Sequence, residues 1–293
     1  MNNNVVVGMG EALWDVLPEG KKIGGAPANF AYHVSQFGLP SCVVSAVGDD
    51  ALGDEILENL TSKGLKQLIE KVPYPTGTVQ VEIDQAGVPQ YEIKENVAWD
   101  NIPWTTSLET LAKKTKAVCF GSLAQRNVVP RETINRFLDT MPRDEDTLVV
   151  FDVNLRQGFY NKEILCKSME HCNILKINDE ELVTVSRMFG YPGIDLQDKC
   201  WILLGKYNLK MLILTCGING SYVFTPGNVS FLPTPRVEVA DTVGAGDSFT
   251  AAFISCVLKG MPVAEAHRRA VATSAFVCTC NGAMPVLPDE YTK

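Results

Sequence analysis

Residues 241–253 read DTVGAGDSFTAAF, a glycine-rich turn that runs directly into an apolar, small-residue helical pattern. The first turn of a helix has backbone N–H groups without internal partners, and the helix dipole adds partial positive charge there. The two glycines would let a phosphate approach those N–H groups closely. A carboxylate at Asp247 would repel a bound phosphate, so its position favours a base that removes a proton from a hydroxyl as a phosphoryl group arrives. The alternative is that Asp247 only caps the helix.

The size and charge of the chain narrow the class of protein. With 293 residues and 46% hydrophobic content, the chain is long enough for one large α/β domain or two smaller ones. Its 34 acidic and 26 basic side chains give a formal charge of −8, which argues against a general affinity for nucleic acid or anionic membranes. The N-terminus lacks a signal-peptide pattern and no apolar run has membrane-spanning length, so we expect a cytoplasmic protein.

The nine cysteines form no Cys-x-x-Cys pair, and several of them lie in apolar runs. Their odd number in so long a chain favours reduced core cysteines in a reducing compartment. Cys278 and Cys280 could hold a metal ion, but no histidine cluster accompanies them, so core packing is the favoured interpretation.

Short β-branched or apolar runs alternate with helical patterns along most of the chain. This alternation predicts an α/β fold with a mostly parallel central sheet and helices on both faces. In such sheets, ligands bind beyond the carboxyl ends of the strands. The predicted strands are 5–7, 42–47, 118–120, 147–152, 174–177, 212–215, 222–224 and 229–232, and the predicted helices are 27–38, 50–64, 131–139, 164–172, one starting at 178, 249–258 and 264–278.

Two segments depart from this alternation. Residues 78–83 and 90–93 alternate apolar and polar side chains around Gln-Ala-Gly at 85–87, which is typical of a β-hairpin. Residues 12–23 have an extended pattern with a turn near 18–20.

These two extended segments predict a small β lid, inserted at about 11–23 and 76–98 in a single domain of residues 1–293. A lid would exclude water from a site beneath it, whereas the alternative is two surface flaps. Exposed strand edges readily pair between subunits, which favours a homodimer through the lid.

Residues 24–29 read GGAPAN and precede a helical pattern. The small residues would allow a ligand to approach closely, and Asn29 offers both a donor and an acceptor. Asp15 lies shortly before this segment, and carboxylate and amide groups together suit a polyol with several hydroxyls. The alternatives are a tight turn with proline at the first helical position, and a solvated turn residue at Asp15.

Asp152, Asn154 and Arg156 occupy alternate positions where the chain leaves a predicted strand, so we expect the three side chains to share one face. These groups fit sugar hydroxyls or phosphate oxygens. A salt bridge at the end of the strand is the competing explanation.

Two further loops follow predicted strands. Asn178 and Glu181 open an acidic helix start, which on local evidence is typical of ordinary capping; the functional alternative is that they arrange water and Mg²⁺ around a triphosphate. Residues 215–220 (TCGING) indicate either a hairpin turn or backbone that lines a nucleotide. Residues 8–10 (GMG) lack the third glycine of a dinucleotide fingerprint and no Walker-type loop is present, so a phosphate-transferring protein would need a different cradle.

Together, and in this order, these segments resemble the ribokinase-like (PfkB) carbohydrate kinase family over nearly the whole chain. The family's Gly-Gly-x-x-x-Asn signature matches residues 24–29, and its Asp-Thr-x-Gly-Ala-Gly-Asp signature matches 241–247. The Asn-x-x-Glu motif matches 178–181, and the Thr-x-Gly-x-x-Gly motif matches 215–220. Within the family, residues 10–15 and 24–29 look most like those of fructokinases.

The resemblance implies a role for each matched residue. Asp247 would be the base that takes the proton from the sugar hydroxyl, and we expect the helix dipole to favour its ionised form. Gly244 and the backbone N–H groups of Ala245, Gly246 and Asp247 would form the anion hole. The candidates for binding the sugar are Asp15, Gly25, Asn29, Arg156 and Asp247. The candidates for binding ATP and Mg²⁺ are Asn178, Glu181 (to Mg²⁺ through water), Thr215, Gly217, Gly220, Gly244 and Gly246. A monovalent cation such as K⁺ would bind at Asp241 and Val243.

The resemblance therefore predicts a kinase that transfers the γ-phosphoryl group of MgATP to a hydroxymethyl group of a free sugar, with the 6-hydroxyl of fructose as the favoured acceptor. The alternatives are a kinase for ribose, 2-keto-3-deoxygluconate or a nucleoside, and a non-catalytic sugar-binding regulator. A nucleoside would need aromatic stacking surfaces. Four side chains could supply them, although core or lid packing explains them equally well: Trp14, Tyr32, Trp99 and Trp104.

Overall fold

Apolar runs form the strands of the protein and amphipathic segments form its helices. The computed structural model describes residues 4–17, 20–83, 89–193 and 195–293. The strands are β1 (Val5–Met9), β2 (Leu13–Leu17), β3 (Gly20–Gly24), β4 (Ser41–Gly48), β5 (Lys66–Val72), β6 (Gly77–Ile83), β7 (Pro89–Ile93), β8 (Thr115–Gly121), β9 (Leu148–Asp152), β10 (Ile174–Asn178), β11 (Met211–Thr215), β12 (Ser221–Thr225) and β13 (Asn228–Leu232). The α-helices are α1 (Ala26–Gln36), α2 (Ala51–Ser62), α3 (Thr106–Ala112), α4 (Val128–Thr140), α5 (Lys162–His171), α6 (Asp179–Phe189), α7 (Leu196–Lys206), α8 (Ala245–Leu258), α9 (Val263–Cys278) and α10 (Asp289–Thr292).

The larger sheet has the strand order β13-β12-β11-β10-β9-β8-β1-β4-β5. All pairs from β11 to β5 are parallel, whereas β12 and β13 pair antiparallel at one edge. Parallel sheets need cover on both faces, and alternate residues of β1 and β8 accordingly belong to two separate hydrophobic clusters. This architecture confirms the predicted α/β fold.

Every strand and helix predicted from the sequence is present, with bounds that differ by a few residues. The sequence patterns do not predict β5, α3, α7 or α10. The strand β5 reads KQLIEKV and lies at the edge of the sheet, so it lacks the continuous apolar run of a central strand. The helix α3 has only seven residues, too few for a clear helical period.

A second sheet of four strands has the order β3-β2-β6-β7 and is the predicted β lid. Its strands β2 and β6 are parallel and its other pairs are antiparallel. The predicted turn at 18–20 lies largely outside the described residues, and the turn at 85–87 lies wholly outside them. At the start of β6, Gly77 packs so closely on the ring nitrogen of Trp99 that any side chain would clash with it.

The strand order reverses between β1 and β8. The chain builds outward from β1 through β4 to β5, and then adds β8 to β13 on the opposite side of β1. In open α/β sheets, ligands bind at such a reversal, beyond the carboxyl ends of the strands. Helices α1 and α8 pack against each other, and α1 also packs on β1 and β8 beside this reversal. The fold therefore brings the start of α8 to the expected binding edge.

None of the helices in the described ranges is long and apolar enough to cross a membrane. All nine cysteines are free thiols, and Cys278 and Cys280 are half-buried rather than in the core. The part of the chain that the structure describes contains no group of three or more histidine, cysteine or acidic residues that could hold a metal ion.

Candidate active site

A cleft of about 920 Å³ lies between the lid and the carboxyl ends of the central strands. Its volume falls in the range of about 300–1,000 Å³ that is typical of small-molecule sites. The cleft brings together most of the predicted site residues: Asp15, Gly25, Asn29, Arg156, Asn178, Asp241, Val243, Gly244, Gly246 and Asp247. The remaining predicted residues are not among those that line it: Glu181, Thr215, Gly217, Gly220 and Ala245.

Residues 244–247, called the α8 turn below, form the start of α8. Gly244 is the N-cap and has a φ of 78°, in the left-handed region that favours glycine. A Cβ atom at Gly244 would also lie only 2.6 Å from the Cβ of Ala283. Both the backbone conformation and the packing therefore require glycine here.

Two backbone donors of the α8 turn are unpaired. The N–H groups of Gly246 and Asp247 have no hydrogen-bond partner in the described structure, whereas the N–H of Ala245 bonds to the carbonyl of Thr242 at 3.3 Å. Unpaired N–H groups at a helix start, reinforced by the helix dipole, form an anion-binding site. The N–H groups of Gly246 and Asp247 are thus free to bind an anion, whereas the N–H of Ala245 is already bonded to the preceding loop.

Asp247 is half-buried in the wall of the cleft and accepts a hydrogen bond from Nδ2 of the buried Asn29 at 2.8 Å. Burial raises the pKa of Asp247 to about 6, and the carboxylate of Asp152 adds to this rise. The hydrogen bond from Asn29 and the charges of Lys176 and Arg156 act in the opposite direction. The net shift in the pKa of Asp247 is upward, because burial contributes more than the groups that lower this pKa.

Lys176 lies on β10 beneath the α8 turn. Its ammonium group is 3.1 Å from Asp152 and 3.1 Å from the point that a Cβ on Gly246 would occupy. Burial lowers the pKa of Lys176, but the carboxylates of Asp152, Glu181 and Asp247 raise it above its ordinary value. These carboxylates therefore favour the charged form of the lysine under the turn. None of the sequence motifs gives Lys176 a role, although a lysine inside an otherwise apolar strand is a signal that points to it.

Glu11 is a second cleft residue to which the sequence motifs give no role. It follows β1, is only 4% exposed, and lines both the cleft and a small cavity shared with Asp152 and Asp247. Burial raises the pKa of Glu11 to about 7, while the charge of Arg156 lowers it. A glutamate between apolar residues directly after a strand is the sequence signal for such a site.

The lid side of the cleft is charged. Asp15 on β2 lies opposite Lys22 on β3, and the Nζ of Lys22 is 3.8 Å from Asp241, so this ion pair links the lid to the loop before α8. Burial raises the pKa of Asp15 to about 6; Arg156 lowers it and Asp241 raises it further.

The strand that was expected to place Asp152, Asn154 and Arg156 at alternate positions of one face does not continue past Asp152. The strand β9 ends at Asp152, and the left-handed φ of 43° at Asn154 turns the chain away from the strand direction. Asp152 is buried against Lys176, which is the salt bridge that the competing explanation proposes. Asn154 and Arg156 line the cleft.

Asn178 and Glu181 form a capping box at the start of α6. The Oδ1 of Asn178 accepts from the N–H of Glu181 at 2.8 Å, and Oε2 of Glu181 accepts from the N–H of Asn178 at 3.0 Å. The other oxygen of Glu181 accepts from the N–H of Leu155 at 2.9 Å. Burial raises the pKa of Glu181, although Lys176 lowers it. Asn178 and Glu181 thus cap α6 in the ordinary way, and Asn178 also lines the cleft.

Residues 215–220 form the hairpin turn between β11 and β12, which is the first of the two interpretations of this segment. Thr215 lies beside Asn178 in the register of β10 and β11. Gly217 and Gly220 have φ angles of 51° and 104°, which favour glycine at both positions. The turn thus lies next to Asn178, at the same edge of the sheet as the cleft.

Asp241 ties together the two loops that flank the α8 turn. Its Oδ1 accepts from the N–H of Val243 at 3.0 Å, and its Oδ2 accepts from the N–H of Gly282 at 3.1 Å. The segment before α8 is therefore fixed to the segment after α9.

The four aromatic candidates pack elsewhere. Trp14, Tyr32 and Trp99 are buried, and Trp104 lies against the guanidinium of Arg136. None of the described residues that line the cleft is aromatic.

Comparison with known proteins gives the family. Residues 18–290 match the model of the pfkB family carbohydrate kinases. The chain belongs to this family. It is therefore a sugar kinase, a phosphotransferase that acts on a carbohydrate.

Relatives cover nearly the whole chain. The chain is 29% identical to an ATP-dependent 6-phosphofructokinase of Thermoanaerobacterium thermosaccharolyticum, over 93% of this chain and 84% of that protein. It is 26% identical to a fructokinase of Solanum tuberosum, over 99% of this chain and 94% of that protein. The crystal structure of an uncharacterized sugar kinase from Pyrococcus horikoshii aligns with a TM-score of 0.80 at 27% identity, over 96% of this chain and 93% of that one.

Proposed function

We propose that this sugar kinase transfers the γ-phosphoryl group of MgATP to a hydroxymethyl group of a free sugar, and that its preferred acceptor is the 6-hydroxyl of D-fructose. The observation that carries the proposal is Asp247, a carboxylate with a pKa raised by burial to about 6 at a helix start with two unpaired N–H groups. Relatives that are named fructokinases support the choice of acceptor.

In the proposed reaction, Asp247 accepts the proton of the sugar hydroxyl while the hydroxyl oxygen bonds to the γ-phosphorus and the bond between that phosphorus and ADP breaks. Asn29 orients the carboxylate through its hydrogen bond of 2.8 Å. With a pKa of about 6, most Asp247 carboxyls are ionised at pH 7.5, so the base is available. The free N–H groups of the α8 turn and the ammonium of Lys176 stabilise the charge on the transferring group.

The donors at the carboxyl ends of β10 and β11 suit a nucleotide and its Mg²⁺. Asn178 presents an amide to the cleft, and Thr215, Gly217 and Gly220 lie beside it. Each carboxylate oxygen of Glu181 already accepts one backbone N–H, which fits a contact to Mg²⁺ through water better than direct ligation. The ion would neutralise charge on the phosphate oxygens.

Asp241 and Val243 are the proposed holders of a monovalent cation such as K⁺. The Asp241 carboxylate is fixed by two N–H donors, so its remaining lone pairs have defined directions. The Nζ of Lys22 is 3.8 Å from the same carboxylate, so K⁺ would share Asp241 with a charge from the lid.

Asp15, Gly25, Asn29 and Arg156 are the proposed sugar ligands. Gly25 brings its backbone against the carbonyl of Glu11, where no side chain would fit. Carboxylate, amide and guanidinium groups suit the hydroxyls of a polyol, and the absence of aromatic side chains among the described lining residues argues against a stacked nucleoside.

We further propose that residues 1–293 act as one kinase domain. The lid, at about 11–23 and 76–98, would close over the cleft and exclude water from the transferring phosphoryl group. Its exposed strand edges would pair between two subunits to form a homodimer.

The test is ADP release from MgATP in the presence of fructose, ribose, 2-keto-3-deoxygluconate, a nucleoside or fructose 6-phosphate, with the wild type beside Asp247→Asn. We expect turnover with fructose and a loss of at least about 10²–10³-fold in the variant, because the base is absent. Turnover with a different acceptor alone would overturn the substrate and keep the mechanism. Sugar binding without turnover on any acceptor would favour a non-catalytic regulator.

A further inference from the structure

Helix α1 carries a polar stripe that reaches beyond Asp247. Asn29, His33 and Gln36 are spaced by four and then three residues, so they lie on one face of the helix. Asn29 bonds to Asp247, whereas His33 is fully buried and its Nε2 lies 2.8 Å from the carbonyl oxygen of Ala283. The reaction described above uses only the first of these three side chains.

The hydrogen bonds of the stripe fix one another's direction. The N–H of Leu287 donates to Oε1 of Gln36 at 2.7 Å, so the Nε2 of Gln36 is the donor to the carbonyl of Pro285 and to Nδ1 of His33, both at 3.2 Å. Since Nδ1 accepts, the proton of the neutral imidazole is on Nε2, which donates to Ala283. Burial lowers the pKa of His33 to about 4, so the ring is neutral at pH 7.

The segment that the stripe holds forms the wall of the α8 turn. Gly244 packs against Ala283 so closely that a Cβ atom on it would lie 2.6 Å from the Cβ and 2.8 Å from the Cα of that residue. The neighbouring N–H of Gly282 donates to Asp241 at 3.1 Å. A shift of Ala283 would therefore displace the turn that carries the two unpaired N–H groups.

We propose that His33 is a positioning residue for phosphoryl transfer: by bonding the carbonyl of Ala283 to α1, it fixes the α8 turn at a set distance from Asn29, which holds Asp247. Helix α1 thereby orients the base through Asn29 and, one helical turn later, fixes the α8 turn through His33. This inference rests on the proposed function of the α8 turn. Misplacing reacting groups by about 1 Å can cost about 10²-fold in rate, so the loss of this bond is expected to act on turnover.

The experiment compares His33→Leu, which removes the donor and keeps the bulk, with His33→Gln, whose side-chain amide can still donate to the Ala283 carbonyl. We expect His33→Leu to lower kcat at least about ten-fold with the KM for sugar within about three-fold of the wild type, and His33→Gln to recover most of kcat. Val34→Ala is the matched control, since Val34 is equally buried on α1 but lies outside the stripe. It should lower the melting temperature without changing kcat below that temperature.

Hydrogen–deuterium exchange separates this inference from the proposed function. We expect His33→Leu to speed exchange in peptides that cover 241–248 and 282–287, and Val34→Ala not to do so, whether or not fructose is the acceptor. Equal exchange and equal kcat per folded molecule in the two variants would overturn the role of His33. A wild type without turnover on any acceptor would instead overturn the proposed function. If His33→Leu does not fold, Gln36→Met replaces it, because Gln36 lies at the half-buried end of the stripe. We expect this variant to lower kcat about three-fold, and an unchanged kcat would contradict the inference.

Discussion

Helices α2 and α8 both begin beside an aspartate, but the two carboxylates have different surroundings. Asp50 is the N-cap of α2, with an extended backbone, and its carboxylate accepts from the N–H of Gly53 and from the N–H and hydroxyl of Thr76 at 2.6–2.8 Å. Asp247 lies inside the first turn of α8, behind a glycine N-cap, and accepts one hydrogen bond, from Asn29. The carboxylate of Asp50 accepts from a backbone N–H group of its own helix, whereas the described hydrogen bond of Asp247 comes from a different helix, α1.

The pKa values of Asp50 and Asp247 are shifted in opposite directions. Burial raises the pKa of Asp50, but the hydrogen bonds from Thr76 and Gly53 outweigh it and the net pKa is lowered. Burial raises the pKa of Asp247, with a further rise from Asp152, to about 6. An acid at a helix start is therefore structural when its carboxylate accepts from the backbone of its own helix, and is a candidate for chemistry when it points to another element and holds its proton more tightly.

The largest expected effect comes from Gly244→Ala, which alters the α8 turn. The new methyl group would lie 2.6 Å from the Cβ of Ala283 and the φ of 78° would be strained, so we expect kcat to fall by at least about 100-fold. Steady-state kinetics at saturating sugar measure this loss. The matched control is Gly38→Ala, whose φ of 75° is nearly the same but whose added Cβ meets no atom within 4 Å.

Gly38→Ala should cost about 1 kcal/mol of folding free energy and leave kcat unchanged, because only backbone strain is added. If both substitutions lowered the melting temperature and neither changed kcat, the α8 turn would be a structural helix start like that of α2.

The pH dependence of turnover gives the next effect. A general base acts only when it is deprotonated, so kcat should rise with pH along an acid limb set by Asp247, whose pKa burial raises to about 6 in the ligand-free protein. The hydrogen bond from Asn29 lowers this pKa, so Asn29→Ala should move the acid limb up by about one pH unit. Saturating sugar is required, since Asp15 and Glu11 also titrate at about 6 and 7.

Ser35→Ala is the control for this shift, because Ser35 lies on the same helix and its hydroxyl donates to the backbone carbonyl of Tyr32 rather than to Asp247. An acid limb of kcat that stays in place in Asn29→Ala would show that another group sets the pH dependence.

Asp247→Asn and Asp50→Asn should change the free energy of unfolding in opposite directions. The folded-state pKa of Asp247 is raised from 3.8 to about 6, so its contribution to stability is lost as pH rises through this range, and Asp247→Asn should gain about 1–2 kcal/mol at pH 8 and little near pH 3. The pKa of Asp50 is lowered, so its contribution is present at neutral pH and lost in acid. Asp50→Asn should therefore lose about 1 kcal/mol at pH 8 and less near pH 3.

Thermal unfolding of both variants and the wild type at three pH values measures these differences. A loss of stability in Asp247→Asn at pH 8 would mean that its carboxylate acts as a cap, which is the alternative that the sequence leaves open.

Local signals explain why so much of the fold is predictable. The apolar runs of the central strands, the glycine-rich start of α8 and the two extended runs at 78–83 and 90–93 each depend on neighbouring residues, and the predicted strands and helix are present. Lys176 and Glu11 escape the prediction because their importance comes from distant partners: Lys176 pairs with Asp152, 24 residues away. The raised pKa of Asp247 is likewise a consequence of burial, which only the assembled sheet and helices create.

The same reasoning explains why the wall of the α8 turn is not predictable. His33 and Ala283 are 250 residues apart, and their hydrogen bond forms only because the segment after α9 returns to α1. The motif at 241–247 predicts the turn but contains no information on what holds it. A sequence can therefore identify the reacting group well before it identifies the groups that position it.

The smallest expected effect concerns α6, whose start shares features with both helices. Asn178 caps α6 as Asp50 caps α2, yet it lines the cleft as Asp247 does. Asn178→Ser keeps a capping oxygen but removes the amide donor, so stability should change by only a few tenths of a kcal/mol. If the amide binds nucleotide, the KM for MgATP should rise about three-fold, the cost of one hydrogen bond, while kcat stays near the wild-type value.

Asn178→Ala separates the two roles of this side chain, because it removes both the cap and the donor. We expect it to lose about 1 kcal/mol of stability and to show the same rise in KM as Asn178→Ser. A normal KM for MgATP in both variants would show that Asn178 only caps α6, as Asp50 caps α2. The α8 turn would then be the functional helix start when α6 and α8 are compared. A raised KM in both would instead show that one helix start can satisfy its own backbone and still bind a ligand, because the cap uses the oxygen of Asn178 and the ligand uses its nitrogen.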